Sequence, residues 1–235
     1  TYLVSLVSND NFIVARIRTA SYTATGLRIL GAWDYSKGSG HYAAWALTWH
    51  QPNLDWQYSA AYAEEGKKKE VVSYFDGTLR GRQTVTINNA DNVAVVQENV
   101  YDEFGRATAS ILPAPFQESS GVNAFLRYFK NYNVNASGSP YNAANVIGAG
   151  TAACEFDPDT LKATTGASQY YSGNSPFINV SSPHYKRYNN FTPDAERYPL
   201  SVTQYTADNT GRIKIQGGVG KVFQPGASTP SKTTK

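Results

Sequence analysis

Three histidines, His41, His50 and His184, are the imidazoles with which this 235-residue chain could do acid–base or metal chemistry. No two of them stand at His-x-x-x-His or His-Glu-x-x-His spacing, which would set two ring nitrogens on one helix face around a zinc ion. Serines are plentiful, yet no Gly-x-Ser-x-Gly elbow is present to raise a nucleophile at a strand-to-helix turn. Asp157-Pro158-Asp159 and Asp208-Asn209 bring carboxylates together without the Asp-x-Asp-x-Asp-Gly series and closing Glu of a calcium loop, so they read as turn-forming acids. Gly217-Gly218-Val219-Gly220 follows a strand-like run but opens no helical pattern, which makes it a tight turn or bulge rather than a phosphate cradle. The single Cys154 permits neither an internal disulfide nor a thiolate metal site. The expectation is a chain that is not an enzyme and uses no cofactor or metal.

Two features point to ligands or modification. Trp33, Trp45, Trp49 and Trp56 fall within 24 residues, and Trp45 and Trp49 are candidates for an aromatic platform that stacks on sugar rings, against the alternative of a Trp-rich core. Asp159-Thr160-Leu161 resembles a short O-glycosylation motif of exported bacterial proteins, with Thr160 as acceptor. Asn135, Asn179 and Asn190 each begin an Asn-x-Ser/Thr sequence, which a bacterial origin would leave idle. The net charge of +3 is scattered apart from Lys67-Lys68-Lys69, which follows Glu64-Glu65, so no nucleic-acid partner is expected. No run approaches the roughly 18 to 20 apolar residues of a membrane helix, and no signal peptide opens the chain. Starting at Thr1 and lacking methionine, the chain is expected to be a processed or excised piece.

The elements that would position these residues are strands. Aromatic residues make up 13% of the chain, and the abundant Tyr, Val and Thr suit a half-buried pleated surface, so an all-β, antiparallel fold is expected. Residues 1–63 read as a β-rich N-terminal segment with strands at 2–7, 12–19, 26–33, 42–49 and 56–62, although 43–47 could instead be a helical turn. Residues 64–113 read as two hairpins. Gln83-Thr84-Val85-Thr86-Ile87 alternates polar and apolar, and Val93 to Tyr101 leads through a turn to Arg106 to Leu112. Residues 114–200 are rich in Asn, Ser, Gly, Pro and Tyr and form a long insertion, expected to hold short strands packed through its tyrosines. Residues 201–223 return to the hairpin pattern, and 224–235 form a Ser/Thr/Pro/Lys tail, expected to contact another part of the fold or a partner chain.

Three segments share an aromatic strand end, an Asp, and a Gly-Arg that begins the next strand: Tyr74 to Arg82, Tyr101 to Arg106, and Tyr205 to Arg212. A four-residue turn favours Asp first, whose carboxylate accepts turn N–H groups, and Gly last, which tolerates φ > 0. Asp102 to Gly105 and Asp208 to Gly211 meet both demands, with Gly81 and Arg82 as the first segment's counterparts of Gly105 and Arg106. Tyr before the turn and Arg after it are expected to face each other as a cross-strand pair.

Tyr101-Asp102-Glu103-Phe104-Gly105-Arg106 matches the Tyr-Asp-x-x-Gly-Arg core of the YD repeat, and the chain resembles the RHS (YD-repeat) family over roughly 64–224. Ser73 to Gln83, Ile111-Leu112-Pro113, and Tyr205 to Arg212 followed by Gln216-Gly217-Gly218-Val219-Gly220 resemble further landmarks in the same order. The resemblance implies a large secreted or surface bacterial protein whose hairpin strip spirals into a hollow shell, enclosing or presenting a C-terminal toxin or other cargo. The implied partners are the remainder of that shell and its cargo, with secretion machinery or another protein chain beyond them. The first and third units depart from the motif in loop length, and the family's self-cleaving aspartate site has no recognisable counterpart. The alternative expectation is a surface adhesin or glycan-binding module.

Overall fold

The computed structural model describes residues 12–14, 16–35, 37–38, 41–42, 44–46, 51, 53–88, 93–116, 126–148, 156–183, 185, 187–208 and 210–226. Two compact units divide the chain, Thr1–Pro52 and Asn53–Lys235.

The first unit is a set of short antiparallel pairs. The outermost joins β1 (Phe12–Val14) to β8 (Ala44–Ala46), so 44–46 is strand rather than helical turn. Inside it lie β2 (Arg16–Ile17) with β5 (Asp34–Tyr35), then β3 (Ala20–Tyr22) with β4 (Arg28–Leu30). β6 (Lys37–Gly38) and β7 (His41–Tyr42) form a further small hairpin. The expected strand at 2–7 lies outside the described residues.

The second unit is built on a seven-stranded antiparallel sheet in which every strand pairs with its neighbours in sequence. In order these are β9 (Asp55–Tyr62), β10 (Lys68–Phe75), β11 (Gly81–Asn88), β12 (Val93–Tyr101), β13 (Ala107–Pro115), β14 (Leu200–Tyr205) and β15 (Ile213–Gly217). The all-β antiparallel expectation holds here. β9, at the end of the sequence's first region, pairs along its whole length with β10.

Alternation along each strand sends one set of side chains inward, and the register aligns those sets into rows. Tyr58, Val72, Val85, Val96 and Ala114 lie opposite one another across five strands. A second row runs Trp56, Tyr74, Gln83, Glu98, Ile111, Leu200. Val72, Tyr74, Val85, Val96, Ile111, Leu200 and Val202 are almost wholly buried, and on the other face Ser73, Thr84, Gln97 and Ser110 stay half-exposed.

The buried face is covered by the insertion. It contributes α1 (Ala143–Ile147), α2 (Gly166–Tyr170) and a 3-10 turn at Arg187–Phe191. The expected short strands are replaced, among the described residues, by these helical turns and two isolated bridges, Val134 with Pro140 and Asn135 with Leu161. Local capping explains α1: Asn142 accepts from the N–H groups of Ala144 and Asn145, and the Asn145 side chain returns the bond to the Asn142 N–H. Packing through tyrosine is as expected, and it has a backbone reason. β14 pairs with β13 over Ala109 to Ile111, and the Leu112 N–H bonds the Pro199 carbonyl. Beyond that, Tyr171 donates to the Pro113 carbonyl at 2.8 Å and Tyr132 to the Ala114 carbonyl at 2.9 Å. The start of the tail is held as well, since the buried Gln224 amide donates to the Leu200 carbonyl at 2.8 Å.

Candidate functional site

The recurring Asp folds the first two hairpin tips in the same way and the third in a longer variant. In the second hairpin the Asp102 N–H bonds the Arg106 carbonyl at 2.9 Å, and the Gly105 N–H bonds the Asp102 carbonyl at 3.0 Å. Asp102 Oδ1 accepts the N–H groups of Phe104 and Arg106, and Oδ2 accepts Arg106 Nε at 2.7 Å. The fourth residue then needs a left-handed backbone, which Gly105 supplies at φ 80°.

The first hairpin repeats this bond for bond with Asp76 in place of Asp102 and Arg80 in place of Arg106. The sequence assignment of Gly81 and Arg82 as turn residues is therefore corrected. Leu79 occupies the glycine position at φ 60°, and a non-glycine residue there concealed the true alignment. The third hairpin is a longer variant closed by Thr206 N–H to the Arg212 carbonyl at 2.8 Å; Asp208 still accepts Arg212 Nη2 at 2.6 Å, and Gly211 has φ 74°. Two further tips went unnoticed in sequence. Asn135 to Ser139 uses an Asn in the Asp role, with Gly138 fourth, and Thr23 to Leu27 in the first unit uses a Thr hydroxyl, with Gly26 fourth. The spacing of a short side-chain acceptor three residues before Gly is the signal that would have found both.

A leucine in the left-handed region is strained, and Leu79 is 73% exposed, so it recovers little by burial. Leu79→Gly is expected to stabilise the protein by about 1 kcal/mol in urea denaturation.

The tyrosines do not face the arginine of their own hairpin, as expected from sequence, but that of the preceding one. The Tyr101 ring lies 5.3 Å from the Arg80 guanidinium, and its hydroxyl donates to the Gly81 carbonyl at 3.0 Å. The Tyr205 ring lies 4.5 Å from Arg106, and its hydroxyl donates to the Ala107 carbonyl at 2.9 Å. Because Asp76 and Asp102 each hold Nε of their own arginine, a guanidinium face is left for the next strand's phenol. The sheet brings all three tips to one end, where Tyr101, Asp102, Gly105, Arg106, Gly81, Asp208, Gly211 and Arg212 gather. Gly81 acts there as a carbonyl acceptor. Arg82 also approaches the Tyr101 ring, at 5.8 Å.

Burial alone would raise the Asp76 carboxyl, but the hydrogen bonds from Thr78 and Arg80 and the Arg80 charge outweigh it and hold the group at about 2. Asp208 is likewise held below its usual range by Thr206, Arg212 and Thr210. A depressed carboxyl contributes stability that is complete above its unfolded value near 3.8 and is lost as pH falls through about 2. Asp76→Asn should therefore be less stable than the parent at pH 5, with the gap narrowing by pH 2; a gap constant over that range would contradict the assignment.

Beneath the tips lies a polar cluster that sequence reading missed. Gln83, buried in the sheet, donates to Glu98 Oε1 at 2.6 Å and to the Phe129 carbonyl at 3.1 Å, and it accepts the Phe129 N–H at 2.8 Å. Asn133 donates to Glu98 Oε2 at 2.7 Å and accepts the Ala167 N–H at 2.9 Å. Burial raises the Glu98 carboxyl, opposed by the Asn133 and Gln83 hydrogen bonds and the Arg82 charge. The signal was a phase one: Gln83 and Glu98 occupy the inward slots of strands whose other inward residues are Val85, Ile87, Ala94, Val96 and Val100.

A cleft of about 530 Å³ opens between the second and third tips and α1, lined by Phe104, Arg106, Ile147, Phe156, Tyr205 and Ala207 among others. Of its charged lining residues, Asp102, Glu103 and Arg106, the first and last are already joined.

The remaining candidates are dispersed. Trp33 has the Arg16 and Arg18 guanidinium carbons each 4.2 Å from its ring centroid, and Trp56 packs on the sheet core. Trp45 lies in β8 opposite Ile13, while Trp49, His50 and His184 fall outside the described residues. Thr160 is half-buried between Asp159, whose carboxylate takes the Asn145 amide at 2.9 Å, and the fully buried Leu161. Among the described residues no three His, Cys, Asp or Glu side chains gather as metal ligands, and no helix is long and apolar enough to cross a membrane.

No curated protein matches the chain in sequence. The family described as "Domain of unknown function (DUF6443)" matches residues 49–235, a span that takes in the whole seven-stranded sheet, its three tips and the covering insertion, and the chain belongs to that family.

Proposed function

We propose that this chain is a structural wall segment of a secreted RHS/YD-repeat protein, serving to enclose or present a C-terminal toxin or other cargo. The observation that carries the reading is the lock between successive hairpins, in which Arg80 with Tyr101 and then Arg106 with Tyr205 repeat one geometry along the sheet. A side chain used to join one repeat unit to the next serves extension of a strip, as in other repeat architectures where each unit contacts its neighbours. Among the described residues no further strand pairs with the outer edges of β9 and β15, and strand edges of this kind pair with other strands. The chain on its own is expected to self-associate through these edges. Light scattering over a concentration series would register a rising apparent mass, reduced by Ile213→Lys, which puts a charge on the exposed edge of β15. A concentration-independent monomer would count against the wall reading.

A further inference from the structure

We infer that the outer edge of β15 is a docking site for an antiparallel strand ending in tyrosine just before its own turn, with Arg212 and the Ile213 carbonyl as the receiving groups. The inference rests on the wall reading and names the partner at that edge. The lock within the chain has a direction. Each arginine receives the tyrosine of the following hairpin, and the phenol donates to the carbonyl of the residue after that arginine, Gly81 in one case and Ala107 in the other. At its beginning the series stops, because the residue before Asp76 is Phe75, which carries no hydroxyl to pass backward. At its far end, among the described residues, it remains open.

Arg212 stands at the position of Arg80 and Arg106, with Nη2 on Asp208 and Nε on Thr210 Oγ1 at 3.0 Å. The side chains of Arg80 and Arg106, each under a tyrosine, are 31% and 23% exposed, whereas that of Arg212 is 72% exposed. Among the described residues no ring covers it. Ile213 follows as the counterpart of Gly81 and Ala107, and the residue is 54% exposed beside the place an incoming ring would take. β15 runs away from the tips, so a strand antiparallel to it arrives at the tips with its C-terminal residue, as β12 and β14 do with Tyr101 and Tyr205. The edge therefore continues an interface already made twice.

The test uses the full chain with a copy of its own residues 93–115 appended through a flexible Gly/Ser linker, which holds the hairpin near the edge at an effective concentration on the order of millimolar. Hydrogen exchange of the amides of residues 213–217 is the readout. With both chains diluted to where light scattering reads a monomer, at least a tenfold slowing is expected relative to the unextended chain, falling to within about twofold of it when the appended Tyr101 is changed to Phe or Arg212 to Ala. The first change leaves the receiving chain untouched, so misfolding does not obscure it. No slowing would overturn the inference. Slowing that survives both substitutions would overturn it too while leaving edge pairing, and with it the wall reading, in place; that reading fails separately if the parent chain scatters light as a monomer at every concentration.

Discussion

Gln83→Leu is expected to destabilise the second unit by about 3 to 5 kcal/mol, although leucine is apolar and the site is fully buried. Gln83 answers both the N–H and the carbonyl of Phe129 while donating to Glu98. Leucine would strand two buried backbone groups, each costing roughly 1 to 3 kcal/mol, and leave Glu98 with one donor fewer. Breaking a buried polar set by removing one member is worse than never having had it. Gln97, one residue from Glu98 on the half-exposed face, supplies the control: Gln97→Leu should change stability by no more than about 0.5 kcal/mol. Urea denaturation of the two variants decides the point, and equal effects would mean that the cluster does not hold the insertion to the sheet.

The second large effect is at Gly105. A Cβ there would run into Arg80 Nη1, on a backbone at φ 80°. Gly105→Val should thus combine left-handed strain, about 1 to 3 kcal/mol for a β-branched residue, with displacement of Arg80 from beneath Tyr101. Gly211 has φ 74° but nothing within 4 Å of its Cβ position, so Gly211→Val carries the strain alone. The expected order is a loss of about 3 kcal/mol for Gly105→Val and about 1 kcal/mol for Gly211→Val. Thermal or chemical denaturation giving equal losses would remove Arg80 from the account, and no loss at Gly105 would remove the turn itself.

The hairpins of the second unit were legible because their determinants are local. Alternation in Gln83 to Ile87 sets which face is buried, and Asp followed three residues later by Gly sets the tip, so β10 to β15 lie close to where periodicity put them. The same local logic misplaced the first tip, where Leu79 holds the glycine's conformation, and it passed over Asn135 to Ser139, where an amide replaces a carboxylate. The insertion was harder. Its composition marked it as turn-rich, but the Asn142 and Asn145 exchange that forms a helical turn looks in sequence like one more polar loop.

What the amino-acid order determined by itself was strand phase and turn chemistry, each a matter of residues within a few positions of one another. Tertiary structure decided which tyrosine meets which arginine. Tyr101 is nearer in sequence to Arg106, but Asp102 takes the Nε of Arg106 and the sheet sets Gly81 of β11 beside the end of β12, so the phenol turns to the earlier hairpin. Tertiary structure likewise united Gln83, Glu98, Phe129, Asn133 and Ala167, drawn from two strands and an insertion. A hydrogen bond between strands or layers depends on register and burial, and those exist only once the sheet has formed and been covered.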